Sequence, residues 1–193
     1  MAKKVFTAHV ERIHKWLKIG DCYQVNLTRP VWLEDVGSAW PAYRRIRDQS
    51  APAYGAYLQL ESELAILCNS PELLLDLRRG IASSEPIKGT RPRGIHEAED
   101  IQLQRALMAS KKDRAELTMI VDLVRNDLGR IAKLGTVTTK ERTIRSHANV
   151  HHASQHISAQ LDDSEDAWST LSALFPPGSV TGAPKIRACQ RIA

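Results

Sequence analysis

Lys88 is the residue of this chain whose surroundings most suggest covalent chemistry. It stands between Pro86 and Gly89 in a short basic stretch, which predicts a stiff turn that holds the amine in place. Gly89 leaves room for a ligand beside the backbone, and the charges of Arg91 and Arg93 would favour an uncharged, nucleophilic amine. The alternative is a solvated basic loop, because most charged loops contribute only solubility.

A carboxylate that could work with this lysine precedes it in the sequence. Glu72 ends the corner Asn-Ser-Pro-Glu, sixteen residues before Lys88, at the start of a strand that feeds back toward the lysine. If the neighbouring strands pair, its carboxyl group could stand beside the amine and act as an acid or a base. The structural alternative is a solvated carboxylate in a turn, since glutamate is seldom buried.

Glu116 has two interpretations. It follows Asp113 at the predicted start of a helix with the spacing of a capping box, in which Asp113 would be the N-cap. A carboxylate in the first turn of a helix could instead bind Mg²⁺, a hard cation that prefers oxygen ligands and keeps several waters. One carboxylate alone makes a weak metal site.

Three histidines lie within six residues and raise the question of a metal centre. On the predicted strand, alternation sends His151 and His152 to opposite faces, so that only His152 and His156 could share one. The spacing lacks the cysteine or glutamate partner of a zinc signature. The pattern therefore disfavours a zinc site.

The loop Gly-Ser-Val-Thr-Gly-Ala-Pro at 178–184 has the features of an anion site. Pro184 is predicted at the first position of the following helix, with Thr181 and Gly182 before it. Main-chain N–H groups at such a helix start face whatever occupies the loop. We therefore expect an anionic group to bind there.

The elements that position these groups follow from hydrophobic spacing. Apolar residues three and four apart predict a helix at 5–19. Further helices are predicted at 38–47, 97–110, from 112, and after a cap at Ser164. Alternating residues predict strands at 22–28, 53–60, 64–68, 73–77, 136–144 and 150–161. Lys88 would then follow a meander of antiparallel strands. This order predicts an α+β fold, an antiparallel β-sheet packed with helices.

Composition narrows the class of protein. The 193 residues are 42% hydrophobic and carry a net charge of +5, which suits a single domain that binds a small anion. Aromatic residues do not interleave with a basic run, so a nucleic-acid partner is disfavoured. The three cysteines lack CxxC spacing, which indicates reduced thiols in the cytoplasm. No apolar run reaches the ~20 residues of a membrane span, so we expect no membrane partner.

Three long motifs occur together and in one order. Pro-Ile-Lys-Gly-Thr surrounds Lys88, Asp-Arg-Ala-Glu at 113–116 precedes Ile-Val-Asp-Leu-Val-Arg-Asn-Asp-Leu-Gly-Arg at 120–130, and Gly-Ser-Val-Thr-Gly-Ala-Pro-Lys occupies 178–185. With them the chain resembles the chorismate-utilising enzyme family along essentially its whole length, and most closely the aminodeoxychorismate synthase component I (para-aminobenzoate synthase) group. The resemblance implies a partial anthranilate synthase component I-like fold.

Members of that family are considerably longer than this chain. By resemblance, residues 1–193 are a single partial chorismate-binding domain, a truncated internal segment that lacks the family's N-terminal region and C-terminal strands. The family's C-terminal segment supplies another Mg²⁺ glutamate and further substrate-binding side chains. An inactive fragment is therefore an open alternative to an enzyme, and a basic nucleic-acid module is a weaker one.

The resemblance also implies a reaction, the Mg²⁺-dependent amination of chorismate at C4 to 4-amino-4-deoxychorismate in folate biosynthesis, a transferase activity of the transaminase class. In it, Lys88 adds to C2 of the ring, Glu72 protonates the leaving hydroxyl, and Glu116 binds the metal ion. Ammonia from a glutamine amidotransferase subunit then attacks C4, and the lysine leaves. The implied substrate-binding residues are Thr90, His152, Gly178, Ser179, Thr181, Gly182 and Ala183.

Two features set limits on this resemblance. Anthranilate synthases are similar to the chain elsewhere but carry a small residue, typically alanine, at the position of Lys88, so that ammonia itself attacks C2. Relatives that use water also carry lysine there. Pro177 stands where the family usually has glycine, which removes one N–H donor from the loop and leaves its geometry open.

Overall fold

The computed structural model describes residues 2–34 and 37–193, in which helices alternate with short antiparallel strands. The elements in chain order are α1 (Lys3–Lys18), β1 (Gln24–Val25), α2 (Ala39–Ser50), β2 (Tyr54–Glu61), β3 (Leu64–Ser70), β4 (Leu73–Arg78), β5 (Ile81–Glu85), β6 (Ile87–Pro92), α3 (Glu97–Ala109), α4 (Lys111–Gly129), β7 (Thr138–Thr139), β8 (Thr143–Ser146), β9 (Val150–Ser154), β10 (Ile157–Gln160), α5 (Ala167–Leu174), α6 (Gly178–Thr181), β11 (Gly182–Ala183) and α7 (Lys185–Ile192). The predicted α+β class is confirmed.

Two larger antiparallel sheets form the centre of the structure. One has the strand order β4-β5-β10-β7 and the other β6-β9-β8, while β2-β3 and β1-β11 form separate two-stranded pairs. The chain passes from the first large sheet to the second between β5 and β6, at Pro86, returns to the first for β7, crosses again to the second for β8 and β9, and returns for β10. Proline cannot donate to a ladder, so it suits a point where the pairing partner changes.

Helix α4 packs its apolar face against β10 and α5. Leu117, Ile120, Val124 and Leu128 recur at three and four residues on that face, and all are buried. Fully burying one such side chain contributes about 1.5–3 kcal/mol, so this stripe fixes the helix firmly. The same helix contacts β6 and α6, and it therefore links the strand of Lys88 to the 178–184 loop.

The predicted turn around Lys88 is wrong, because this stretch is strand β6 with a bulge. The pairing with β9 runs from Ile87 opposite Ser154 to Thr90 opposite His152, so Lys88 and Gly89 together face one residue of β9. A bulge changes the direction of a side chain relative to a regular strand, and here it changes the direction of Lys88.

Gly89 is needed at this bulge for two reasons. Its φ of 93° lies in the left-handed region that other residues rarely adopt. A Cβ atom there would also come within 2.9 Å of Asp113 Cβ and Leu107 Cδ1. The close packing of β6 on α4 therefore depends on this glycine.

Several predicted boundaries also differ from the structure. The strand at 22–28 is only two residues long, and the stretches 136–144 and 150–161 each contain a break between two short strands. The N-cap of α4 is Ser110, whose Oγ accepts a hydrogen bond from the Asp113 N–H at 3.3 Å. Asp166, with Ser169 in a capping box, caps α5 instead of Ser164. Local propensity places elements better than it places their ends.

Candidate active site

Lys88 reaches from the bulge of β6 to the 178–184 loop. Its Nζ donates a hydrogen bond to the main-chain carbonyl of Ser179, at 3.1 Å. The side chain is half-buried, and within residues 2–34 and 37–193 no carboxylate comes within ion-pair distance of it. The amine is therefore hydrogen-bonded to a neutral acceptor and has no ion-pair partner among the described residues.

Glu72 lies immediately before β4 and contacts the backbone next to the lysine. Its Oε1 accepts a hydrogen bond from the Ile87 N–H at 3.1 Å, while its own N–H donates to Ser70 Oγ at 3.1 Å. Glu72 forms no ion pair in the described part of the chain. One carboxylate oxygen is thus anchored to the backbone next to Lys88, and the other accepts no hydrogen bond from the described residues.

A cavity of about 150 Å³ joins Glu72 to the 178–184 loop. Typical ligand pockets measure ~300–1,000 Å³, so this cavity would hold only part of a ligand. Lys88, Thr90, His152 and Glu116 do not line it. Its walls are Ser70, Glu72, Leu73, Leu74, Ser84, Pro86, Ile120, Val124, Asp127, Leu174, Pro177, Gly178, Ser179 and Val180.

Thr90 and His152 form a cross-strand pair between β6 and β9. Thr90 Oγ1 and His152 Nδ1 are 3.0 Å apart, and the ring of His147 stands edge-on to His152 with centroids 5.3 Å apart. Burial and the nearby His147 lower the pKa of His152, and a backbone hydrogen bond at Gly89 only partly opposes this. His152 is therefore uncharged near neutral pH and offers one donor and one acceptor.

The predicted alternation of the histidines is confirmed. His151 is fully buried on the opposite face, where its Nδ1 lies 2.8 Å from Ser146 Oγ and its Nε2 2.9 Å from Asp100 Oδ1. His156 lies between the strands, 3.9 Å from Glu85. Among the described residues, no three histidine, cysteine or acidic side chains form a metal cluster.

The loop 178–184 consists of the single turn α6 and the short strand β11. Strand β11 pairs with β1, and a Cβ atom at Gly182 would lie 2.2 Å from Gln24 O, which explains the glycine. Pro177 has a φ of −66°, the value its ring requires, and its carbonyl accepts hydrogen bonds from Val180 N and Thr181 Oγ1. The structure therefore accommodates Pro177 at the start of α6 without distortion.

Glu116 lies in the second turn of α4 with its side chain 42% exposed. Its partner is Lys112, whose Nζ lies 3.8 Å away on the helix surface, and such exposed pairs contribute only about 0.3–0.5 kcal/mol. An available oxygen ligand of this kind fits Mg²⁺, which is usually held by one or two carboxylates together with waters and ligand oxygens.

The expectation that Arg91 and Arg93 would act on Lys88 is not supported. Arg91 Nη2 lies 2.9 Å from Asp113 Oδ2, and Arg93 forms a two-pronged pair with Asp100 at 2.8 and 2.9 Å. Arg93 is the main cause of the strongly lowered pKa of Asp100. Both guanidinium charges are therefore balanced by carboxylates, and neither is directed at the amine.

A buried ion pair between Asp127 and Lys185 was not anticipated from the sequence. Lys185 Nζ lies 2.6 Å from Asp127 Oδ2 and also donates to the carbonyls of Ala173 and Leu174 at 3.3 and 3.2 Å. Burial raises the pKa of Asp127, and the contact with Lys185 opposes that rise. The pair fastens the end of the 178–184 loop to α4.

Glu85 was likewise not recognised in advance. It is buried, and it accepts hydrogen bonds from Arg145 on β8 and from Ser154 on β9, the latter at 2.7 Å. Burial acts to raise the pKa of Glu85, but the hydrogen bonds from Arg145 and Ser154 outweigh it and the pKa is lowered. Glu85 therefore joins the two large sheets just before the strand of Lys88.

Comparison with known proteins identifies a family. The family model for chorismate binding enzymes matches residues 1–193. The chain is 43% identical to aminodeoxychorismate synthase component 1 of Salmonella typhimurium over 94% of its length, and 37% identical to anthranilate synthase component 1 of Aquifex aeolicus over 98%. It spans 40% and 38% of those two proteins.

Solved structures give the same result for the fold. Anthranilate synthase component I from Streptococcus pneumoniae superposes with a TM-score of 0.89 at 30% identity, over 100% of this chain and 42% of that one. A putative 2,3-dihydroxybenzoate-specific isochorismate synthase from Bacillus anthracis matches with a TM-score of 0.77 at 21% identity, over 97% of this chain and 52% of that one. None of the described helices is both long and apolar enough to cross a membrane.

Proposed function

Because this chain belongs to the chorismate binding enzyme family, we propose that it takes part in the amination of chorismate at C4, which yields 4-amino-4-deoxychorismate. The observation that carries the proposal is the arrangement of Lys88, whose amine lies free of any counter-charge in the described structure while Glu72 is fixed beside its backbone. The similarity to aminodeoxychorismate synthase component 1 supports the same reaction.

The proposed chemistry divides between these two side chains. The lone pair of Lys88 Nζ forms a bond to C2 of the ring while the C4–O bond breaks, and Glu72 supplies the proton with which the hydroxyl leaves as water. Ammonia then forms the C4–N bond while the C2–N bond breaks, and the electron pair returns to Lys88. A covalent intermediate of this kind replaces one difficult displacement with two easier ones.

Substrate binding is assigned to the groups around this pair. His152, uncharged near neutral pH, and Thr90 offer hydrogen bonds from the β6–β9 side. The 178–184 loop offers main-chain N–H groups and the Ser179 hydroxyl to the carboxylates of chorismate. We assign this role to Gly178, Ser179, Thr181, Gly182 and Ala183, as the family resemblance implies.

We assign Glu116 as one ligand of a Mg²⁺ ion. When bound, the ion would neutralise a substrate carboxylate and so favour the approach of chorismate to the loop. Replacing Glu116 by glutamine should raise the Mg²⁺ concentration needed for half-maximal activity by about tenfold, a loss of ~1.4 kcal/mol in ion binding. An unchanged midpoint would show that Glu116 serves only the helix.

Ammonia is proposed to come from a separate glutamine amidotransferase subunit, in the cytoplasm where the free cysteines remain reduced. The relatives are named as component 1, which implies a second component in those proteins. The assignment would be supported if the protein aminates chorismate with ammonium alone. Glutamine should then raise the activity only when the partner subunit is added.

Formation of anthranilate is the second candidate function, favoured by the close match to anthranilate synthase component I. The two candidates differ in their product. Chorismate, Mg²⁺ and ammonium are incubated with the protein as its gene encodes it, and the products are separated by mass spectrometry. Aminodeoxychorismate supports the first proposal, anthranilate supports the second, and unchanged chorismate contradicts both.

A further inference from the structure

We propose that Asn26 is a positioning residue for Lys88 and acts through the main-chain carbonyl of Ser179. The inference rests on the proposed function, because it concerns the amine that would attack chorismate. Asn26 follows β1, in a stretch that the sequence alone marks as a structural strand. The contacts of its side chain indicate a second role.

Two donors share one acceptor at this point. Asn26 Nδ2 donates to Ser179 O at 2.8 Å, and Lys88 Nζ donates to the same oxygen at 3.1 Å. A carbonyl oxygen has two lone pairs, so these two hydrogen bonds together use its full capacity. The direction in which the carbonyl faces Lys88 is therefore set by Asn26.

The carbonyl needs such support because of where it lies. Ser179 belongs to α6, a single turn from Gly178 to Thr181, so its carbonyl is not held by the continuous hydrogen bonding of a long helix. The buried pair of Asp127 and Lys185 fastens the far end of the loop, beyond this turn. Besides Lys88 itself, Asn26 is the side chain that hydrogen-bonds the Ser179 carbonyl in the described structure.

The backbone of Asn26 is held independently of its side chain. Its N–H donates to Thr181 O at 2.8 Å, and Tyr23 N donates to Ala183 O at 2.7 Å. A substitution that removes only the amide therefore leaves the pairing of β1 with β11 in place. This makes the role of the side chain separable from the role of the strand.

The consequence for chemistry follows from the flexibility of lysine. Its four-carbon stem can place the ammonium in many positions, and a reacting nitrogen must lie within about 3–3.5 Å of its target. Misplacement by about 1 Å can lower a rate by ~100-fold. Loss of the Asn26 amide should therefore lower kcat for amination by about 10–100-fold while affecting KM much less.

The test uses two apolar substitutions, Asn26→Leu and Asn26→Ala, neither of which can donate to Ser179 O or place a charge beside Lys88. The first readout is pulse acetylation of the protein without chorismate, with each lysine quantified by mass spectrometry. We expect acetylation of Lys88 to rise several-fold in both variants, because its acceptor is no longer oriented. Acetylation of Lys185, which is buried, should stay unchanged.

Gln24→Leu provides the matched control. It makes a similar change two residues earlier, on β1, and the side chain of Gln24 makes no hydrogen bond within the described residues. Unchanged acetylation of Lys88 in the Asn26 variants would overturn the inference. It would also be overturned if acetylation of Lys185 rose equally in those variants, or if acetylation of Lys88 rose equally in the Gln24 variant. If the unmodified protein leaves chorismate intact but the labelling changes as expected, the proposed function fails and the Asn26–Lys88 link stands.

Discussion

Two lysine–carboxylate pairs adjoin the 178–184 loop, and they are built in opposite ways. Lys185 and Asp127 are 2.6 Å apart, with side chains only 12% and 5% exposed. Lys88 and Glu72 contact backbone groups instead of each other, and neither has an ion-pair partner among the residues described. Glu72 and Asp127 nevertheless line the same cavity.

The comparison distinguishes charged groups that stabilise the fold from charged groups that stay available to a ligand. A buried pair in direct contact has little capacity left for a ligand, because each charge is already satisfied by the other. Charged side chains that are oriented by neutral backbone groups can still give a proton to a ligand or accept one from it. Substitutions in the first pair should therefore alter folding, and those in the second should alter turnover.

Substitution of Lys88 by alanine should have the largest effect. We expect formation of aminodeoxychorismate to fall by on the order of a thousandfold or more, because a methyl group cannot add to the ring. Some anthranilate-like product could form instead, and mass spectrometry of the products would detect it. Stability should change by less than ~1 kcal/mol, since the lysine is only half-buried. Full retention of aminodeoxychorismate formation would exclude the covalent role.

Substitution of Asp127 by asparagine should have the largest effect on folding. It leaves Lys185 buried without a counter-charge, so the free energy of unfolding should fall by about 3–5 kcal/mol in urea titrations. Asp122→Asn is the control, since it removes the exposed partner of Arg125 and should cost about 0.5 kcal/mol or less. Equal losses of unfolding free energy in the two variants would contradict the structural role of the Asp127–Lys185 pair.

Glu72→Gln sharpens the comparison from the other side. The glutamine Oε1 can still accept the hydrogen bond from Ile87 N, so stability should stay within about 0.5 kcal/mol of the original. Without a proton to give, kcat for amination should fall by about a hundredfold or more. A large loss of stability with kcat intact would make Glu72 structural, like Asp127.

The smallest effect is expected from pH. The folded-state pKa of His152 is lowered by burial, so between the ordinary value of about 6.5 and the folded value the unfolded chain binds more protons. Stability should therefore decrease as the pH falls from 7.5 to 5.5. In His152→Gln that decrease, followed by urea midpoints, should be shallower. An unchanged slope would show that His152 has its ordinary pKa in the folded protein.

The glycine beside Lys88, the alternation that separates His151 from His152 and the apolar stripe of α4 were all recognisable in the sequence. Each depends on residues within a few positions of one another, and local geometry alone decides such patterns. The boundaries were less predictable. The stretch around Lys88 was taken as a turn because Pro86 and Gly89 usually mark one, and only pairing with β9 makes it a bulged strand.

The sequence by itself determined the family and the α+β class, and it indicated the side chains that we propose for the chemistry. Only the tertiary structure decided which charges are balanced and which stay available. Lys185 meets Asp127 across 58 residues, and Lys88 meets the Ser179 carbonyl across 91. Such long-range contacts depend on how sheets and helices pack, and the local spacing of residues does not predict them. That is why two lysines in equally recognisable motifs have different roles, one structural and the other proposed as the nucleophile.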